Sequence, residues 1–172
     1  MEPVGNRRSL LDEVVPRYDV NEVHSIGVPK SPELAYAAVK AVTAKEVRLF
    51  APLLAIRTLV QRMKGERVDF NRSTPLVEEF LRNGFLILGE RPDEELVVGA
   101  IGRFWRIVGD KPRSILSCED FLAFGEPDHS KVAINFRVRS EGTGSRVVTE
   151  ARAVGTSPDA TRLFGRYWFV IR

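Results

Sequence analysis

Apolar and polar positions alternate over residues 18–28. Tyr18, Val20, Ile26 and Val28 share one parity, as a half-buried strand requires, and Glu22 and His24 fall on it too. At Ser31 the rhythm changes. Ser31 as cap and Pro32 at the first helical position predict a helix with Leu34, Ala38, Ala41 and Val42 as its apolar stripe. Thr43-Ala44-Lys45-Glu46 fits a capping box and predicts a second helix to Met63, stopped by Gly65. Thr74-Pro75 opens a short helix closed by Asn83-Gly84. Period two then returns. Residues 85–90 and 95–101 flank the turn Arg91-Pro92-Asp93-Glu94, and residues 102–108 extend the second arm, with Gly99 and Gly102 marking a bend or bulge. Residues 113–123 read as a further strand, and 131–139 and 146–154 as two more around Glu141-Gly142-Thr143-Gly144. Ser157-Pro158 opens a last helix that places Ala160, Leu163, Phe164, Tyr167, Trp168 and Ile171 on one face.

Strand, helices, antiparallel strands, long last helix: this order predicts an α+β domain. A curved antiparallel sheet would wrap around the C-terminal helix, bury one face against it and leave the other wet, with additional helices after the first strand. Residues 1–17 read as an N-terminal tail and a short helix capped by Ser9 and stopped by Pro16. Residues 18–172 read as one domain. A chain of 172 residues suits a single core.

Composition narrows the partners. Twenty-six basic against 23 acidic residues leave a net charge of only +3, with no run of like charge, so no nucleic-acid footprint is expected. The single cysteine, Cys118, excludes an internal disulfide and a cysteine-based zinc site, and two distant histidines lack metal-ligand spacing. No motif calls for a cofactor. No apolar segment follows the charged start, and the longest apolar stretch is broken by Pro52 and Arg57. Neither a secretory signal nor a membrane span is expected, and the cytoplasm is the default location.

The strand ending in Val28-Pro29-Lys30-Ser31-Pro32-Glu33 and the closing Thr149-Glu150-Ala151-Arg152-Ala153-Val154, followed by Ser157-Pro158-Asp159-Ala160 and an aromatic helix, carry a likeness. With this element order, residues 18–172 resemble the START-like, helix-grip (SRPBCC) superfamily of polyketide cyclases, lipid-transfer domains and birch-pollen-allergen-like proteins, in the manner of its uncharacterised bacterial members. The resemblance implies a hydrophobic cavity between sheet and last helix, used for a lipid-like, polyketide-like or other small apolar molecule. Its motifs are caps and strand ends, so it does not choose a chemistry.

Several residues could serve such a cavity. Glu22 and His24, two apart on a strand, point the same way and could move a proton; the bland alternative is a solvated edge or a structural hydrogen bond. Glu150 and Arg152 form a second same-parity pair. With Val138 opposite Val148 and Phe136 opposite Glu150, both enter the concave side. A one-residue shift sends both to solvent and puts Val147, Thr149, Ala151 and Ala153 inside; both registers are open. Arg103 and Trp105, on one face of the extended strand, could hold an anionic head over an aromatic wall, and an inward Glu150 could pair with Arg103. Alternatively Trp105 packs and Arg103 snorkels. Asn135 and Arg137 alternate against Ile134, Phe136 and Val138, which places the polar pair in solvent. Tyr167 and Trp168 are expected to pack in the core, line the cavity, or do both.

The leading expectation is a binding protein for a small hydrophobic or amphipathic ligand, with Arg103, Trp105, Glu150, Tyr167 and Trp168 lining its cavity. Two others stand beside it. One is a cyclase- or dehydratase-type enzyme with Glu22/His24 or Glu150 as acid and base. The other is an interaction domain with a filled core, whose aromatic helix face or free strand edge binds a partner or a second copy in a homodimer.

Overall fold

A computed structural model of the chain describes residues 8–43, 73–106 and 112–171. Five strands form a single antiparallel sheet: β1 (Val20–Val28), β2 (Leu86–Arg91), β3 (Glu95–Gly102), β4 (Ser130–Glu141) and β5 (Gly144–Gly155), in the spatial order β1-β5-β4-β3-β2. Among the described residues there are five helices: α1 (Leu10–Val14), α2 (Pro32–Ala41), α3 (Leu76–Arg82), α4 (Cys118–Ala123) and the C-terminal α5 (Pro158–Ile171). None is long and apolar enough to cross a membrane.

Local chemistry accounts for most boundaries. Ser9 caps α1 by accepting from Leu11 N–H. Ser157 Oγ accepts from Ala160 N–H and so caps α5. Gly84, at φ +87°, takes the left-handed conformation that ends α3. The helix expected from residue 43 to Met63 lies outside the described residues; the chain on either side of that segment is joined by a hydrogen bond from Leu76 N–H to Val42 C=O.

Three expectations about individual elements need correction. The stripe of α2 that packs is Ala35, Tyr36 and Val39, and Leu34 is 60% exposed. The sheet's position selects the face, since Ala35, Tyr36 and Val39 meet Leu96, Val98, Phe136 and Val138. Next, β3 stops at Gly102. Residues 103–106 leave the sheet in a turn closed by Arg106 N–H to Arg103 C=O, so strand alternation does not govern Arg103 and Trp105. Finally, residues 113–123 form a coil and then α4. Ser117 accepts from Asp120 N–H, and Glu119 and Asp120 occupy the first turn, a helix start that outweighs the apolar run. The irregularity foreseen at Gly99 is real but belongs to its neighbour. β2 slips register between Ile87 and Gly89, and a Cβ at Gly99 would collide with the displaced Leu88 side chain.

Other elements pack on both faces of the sheet, so the expectation of one wholly wet face does not hold. On one face, here the α5 face, Leu96, Val98, Val132, Ile134, Phe136 and Val138 meet α2, α3 and α5. On the other, the α1 face, Val97, Ile101 and Ala133 meet Leu11, Val14 and Val15 of α1 and its flank, and Phe121 of α4. Every residue of β3 is therefore buried.

Candidate functional site

The floor of the candidate site is the α5 face, and its register comes from one hairpin. β4 and β5 close with Glu141 opposite Gly144, across the two-residue loop Gly142-Thr143 with Gly142 at φ +58°. Counting outward, Phe136 faces Thr149, Ile134 faces Ala151 and Val138 faces Val147. The chain thus adopts the second of the two registers. Val147, Thr149, Ala151 and Ala153 share the α5 face, while Glu150 and Arg152 point to the opposite one.

The α5 face is unevenly covered. At one end Phe136 and Val138 are buried beneath α2 and α3; at the other Val132 and Ala153 are buried beneath Phe164 of α5. Between these ends Ile134, Thr149 and Ala151 stay half-buried, and on the adjoining edge strand Glu22 is half-buried and His24 exposed. The α5 face is thus partly open over the middle of β5 and β1.

Aromatic side chains bound it. Phe80 and Phe85 stand 5.0 Å apart between ring centres, Phe85 and Phe104 6.4 Å, and Phe104 and Phe164 6.3 Å in an edge-on contact. Phe164 continues to Tyr167 and to a stacked Trp168, both at 5.8 Å. Trp105 packs against the same cluster. Edge-on and offset contacts of this kind add to the area they bury and hold the rings in fixed orientations. Trp105, Tyr167 and Trp168 remain half-buried, so each both packs and presents a surface.

The expected site residues therefore divide. Trp105, Tyr167 and Trp168 come together. Glu22 and His24 lie on the sheet face that these aromatics cover, with His24 Nε2 3.6 Å from Glu22 Oε1 and the imidazole largely in solvent. Arg103 is drawn elsewhere: its Nε donates to the Asp128 carbonyl in the turn before β4. Glu150 does not join it. Glu150 accepts from Arg152 Nε at 2.7 Å and from Asn21 Nδ2 on the far side of the sheet.

That far side carries a buried polar network, two members of which, Asn135 and Arg137, were expected in solvent. Glu95 is fully buried and accepts from Ser9 Oγ, from Leu10 N–H at 2.9 Å and from Asn135 Nδ2 at 2.8 Å. Arg137 Nε lies 3.9 Å from the same carboxylate. Arg152 bonds Asp12 and Glu150 and donates to Val15 C=O, beneath the ring of Tyr18. Burial works to lower the Arg152 pKa, but its two carboxylate partners outweigh it and hold it above the ordinary value. Asn135, Arg137 and Arg152 are buried because α1 roofs them, and short-range alternation contains no sign of that roof.

A further group was missed on the α5 face near β2. Tyr36 Oη donates to Glu90 Oε1 at 2.7 Å, and Lys40 Nζ reaches the same oxygen at 2.8 Å. Burial, then the Glu90 carboxylate, pushes the Tyr36 phenol well above its ordinary value; Lys40 and Tyr36 hold Glu90 below the usual carboxylate range. Only the i, i+4 spacing of Tyr36 and Lys40 was legible beforehand.

No protein-family model and no curated protein matches the chain. Among solved structures, that of the Mll3558 protein from Rhizobium loti is similar over 88% of this chain and 93% of its own, with 12% identity and a TM-score of 0.31. This likeness is too distant to assign an activity.

Proposed function

We propose that the protein binds a small, mostly apolar or amphipathic molecule over the α5 face of its sheet, in the manner of a helix-grip domain. One observation carries this reading: the middle of an apolar face whose two ends are buried, at Ile134, Thr149 and Ala151, is left half-open beside half-buried Trp105, Tyr167 and Trp168. Apolar floors with an aromatic wall and a few polar groups at the rim are the usual form of small-molecule sites. Thr149 and Ala151 are small, which leaves room above the sheet. Arg103 and Glu150 are not part of this reading, since their partners lie elsewhere.

Native mass spectrometry of gently purified protein, followed by denaturing extraction, tests it. A small molecule retained near one per chain, and lost in Thr149→Trp, supports the site. The tryptophan fills the floor without disturbing the α1 face. Wild-type protein that retains nothing, and that binds a fluorescent apolar probe no better than Thr149→Trp does, overturns it.

The Glu22–His24 approach favours a second reading, proton transfer to or from a molecule held over the same face. In that case His24→Gln abolishes turnover of a bound substrate while leaving its retention unchanged.

A further inference from the structure

The two edges of the sheet differ in how they meet solvent. The β2 edge is interrupted by the register slip at Ile87–Gly89, and its last residues are occupied: Glu90 by Tyr36 and Lys40, Arg91 by Glu13 and the Arg8 carbonyl. The β1 edge has no register slip, and its side-chain bonds, Asn21 to Glu150, Arg146 to Ser25 and His24 beside Glu22, stay within β1 and β5. Its nine residues pair with β5 without a slip and contain neither lysine nor proline. Val23 is 53% and Ile26 64% exposed. The main contacts of the described helices fall on β2 to β5, and the side chains of β1 that pack against the core are Val20 and Val28 near its two ends. A long, straight, partly apolar edge of this kind is a template for another strand.

We propose that β1 pairs antiparallel with β1 of a second copy of this chain, about a two-fold axis at Val23, to form a continuous ten-stranded sheet across the dimer (two sheets of five strands). The strand's own sequence selects both partner and register. A two-fold axis normal to the sheet keeps equivalent faces on the same side and passes through one residue of β1. With the axis at Val23, Glu22 stands opposite His24 of the other copy, and His24 opposite its Glu22. Val20 meets Ile26, Asn21 meets Ser25, and Val23 meets itself. Every directly opposed pair is then acid with imidazole, apolar with apolar or polar with polar, as stable cross-strand pairs require. An axis at Glu22 opposes two carboxylates. An axis at His24 opposes two imidazoles and sets Glu22 against Ile26. No other symmetric register pairs Glu22 with His24, since their numbers average to 23. An interface of this kind is isologous and closes on itself, so it caps the edge and does not propagate into a fibre.

Sedimentation velocity over a range of concentrations, with folding checked by circular dichroism, tests the proposal. Wild-type protein is expected to show a monomer–dimer equilibrium. Val23→Lys sets two ammonium groups against each other on the axis and weakens association about tenfold or more. Glu22→Lys alone weakens it, whereas the exchange Glu22→His with His24→Glu keeps the complementary pairs and retains the dimer. Cross-linking fixes the register independently. In a Cys118→Ser background, oxidation is expected to join copies of Val23→Cys and to leave Gly27→Cys without a covalent cross-link, because position 27 then lies opposite Asp19. A wild-type chain that stays monomeric throughout overturns the proposal. So does a dimer insensitive to Val23→Lys, or one cross-linked through His24→Cys and not through Val23→Cys.

Discussion

The two faces of the sheet hold their polar groups in opposite ways. On the α1 face Glu95, Asn135, Arg137 and Arg152 are buried, and their bonds run to one another and to α1. On the α5 face the polar groups stand at the margins: Glu22 and His24 at the β1 edge, Tyr36, Lys40 and Glu90 at the β2 edge, with apolar and aromatic side chains between. A buried charge without a partner costs several kcal/mol, so the inner network must be complete and leaves little for a ligand. On the α5 face Glu22 and His24, at the β1 margin, stay in contact with water and need no such completion. Clusters of charge near the centre of a fold thus mark attachment of α1 here, and the sparser face is the functional candidate.

The comparison breaks most sharply at Glu95. Glu95→Ala removes the buried carboxylate that Asn135, Arg137 and the first turn of α1 share, and should cost about 3–5 kcal/mol in urea-induced unfolding. A loss below about 1 kcal/mol would mean that the network is not what holds α1. On the other face, Phe164→Ala removes the hub of the aromatic string and should cost about 3 kcal/mol, by loss of packing alone. It should also release any retained ligand, which Glu95→Ala in its folded fraction should not.

A smaller effect depends on pH. Glu90 is held below its ordinary pKa by Lys40 and Tyr36, so its contribution is full above the unfolded value and disappears as pH falls through the lower, folded one. Stability curves of Glu90→Gln should therefore be flatter than wild type on the acid side of the carboxylate range. The difference should stay under about 1 kcal/mol, because the pair is partly solvated. An unchanged acid limb would show that the Tyr36–Glu90–Lys40 contact does not persist in solution. Glu22→Gln should have the least effect on monomer stability, within about 0.5 kcal/mol, given its solvated setting.

Much of the chain's organisation was legible in its residues. The caps at Ser9 and Ser157, the stop at Asn83-Gly84, both hairpins of residues 86–102 and 130–155, and the aromatic face of α5 all follow from interactions within a few positions. So does the apolar set Ile134, Phe136 and Val138, which lies in the core as its alternation implies. The same alternation misled at Asn135 and Arg137. Period two tells which residues share a face and says nothing of what covers it. Residues 113–123 failed for a related reason: a short apolar run fits strand or helix, and only the Ser117 cap separated the two.

What the sequence determined by itself was the α+β class, the two antiparallel hairpins and which residues share a face in β4 and in β5, because these depend on near neighbours. Three matters were decided only in the tertiary structure: which face α1 roofs, where the β4–β5 turn closes, and which residues of the α5 face stay open. Each rests on contacts between segments far apart in the chain. A turn closing one residue earlier or later sends Glu150 and Thr149 to opposite sides, and the burial of whole faces, not any local preference, selects between them.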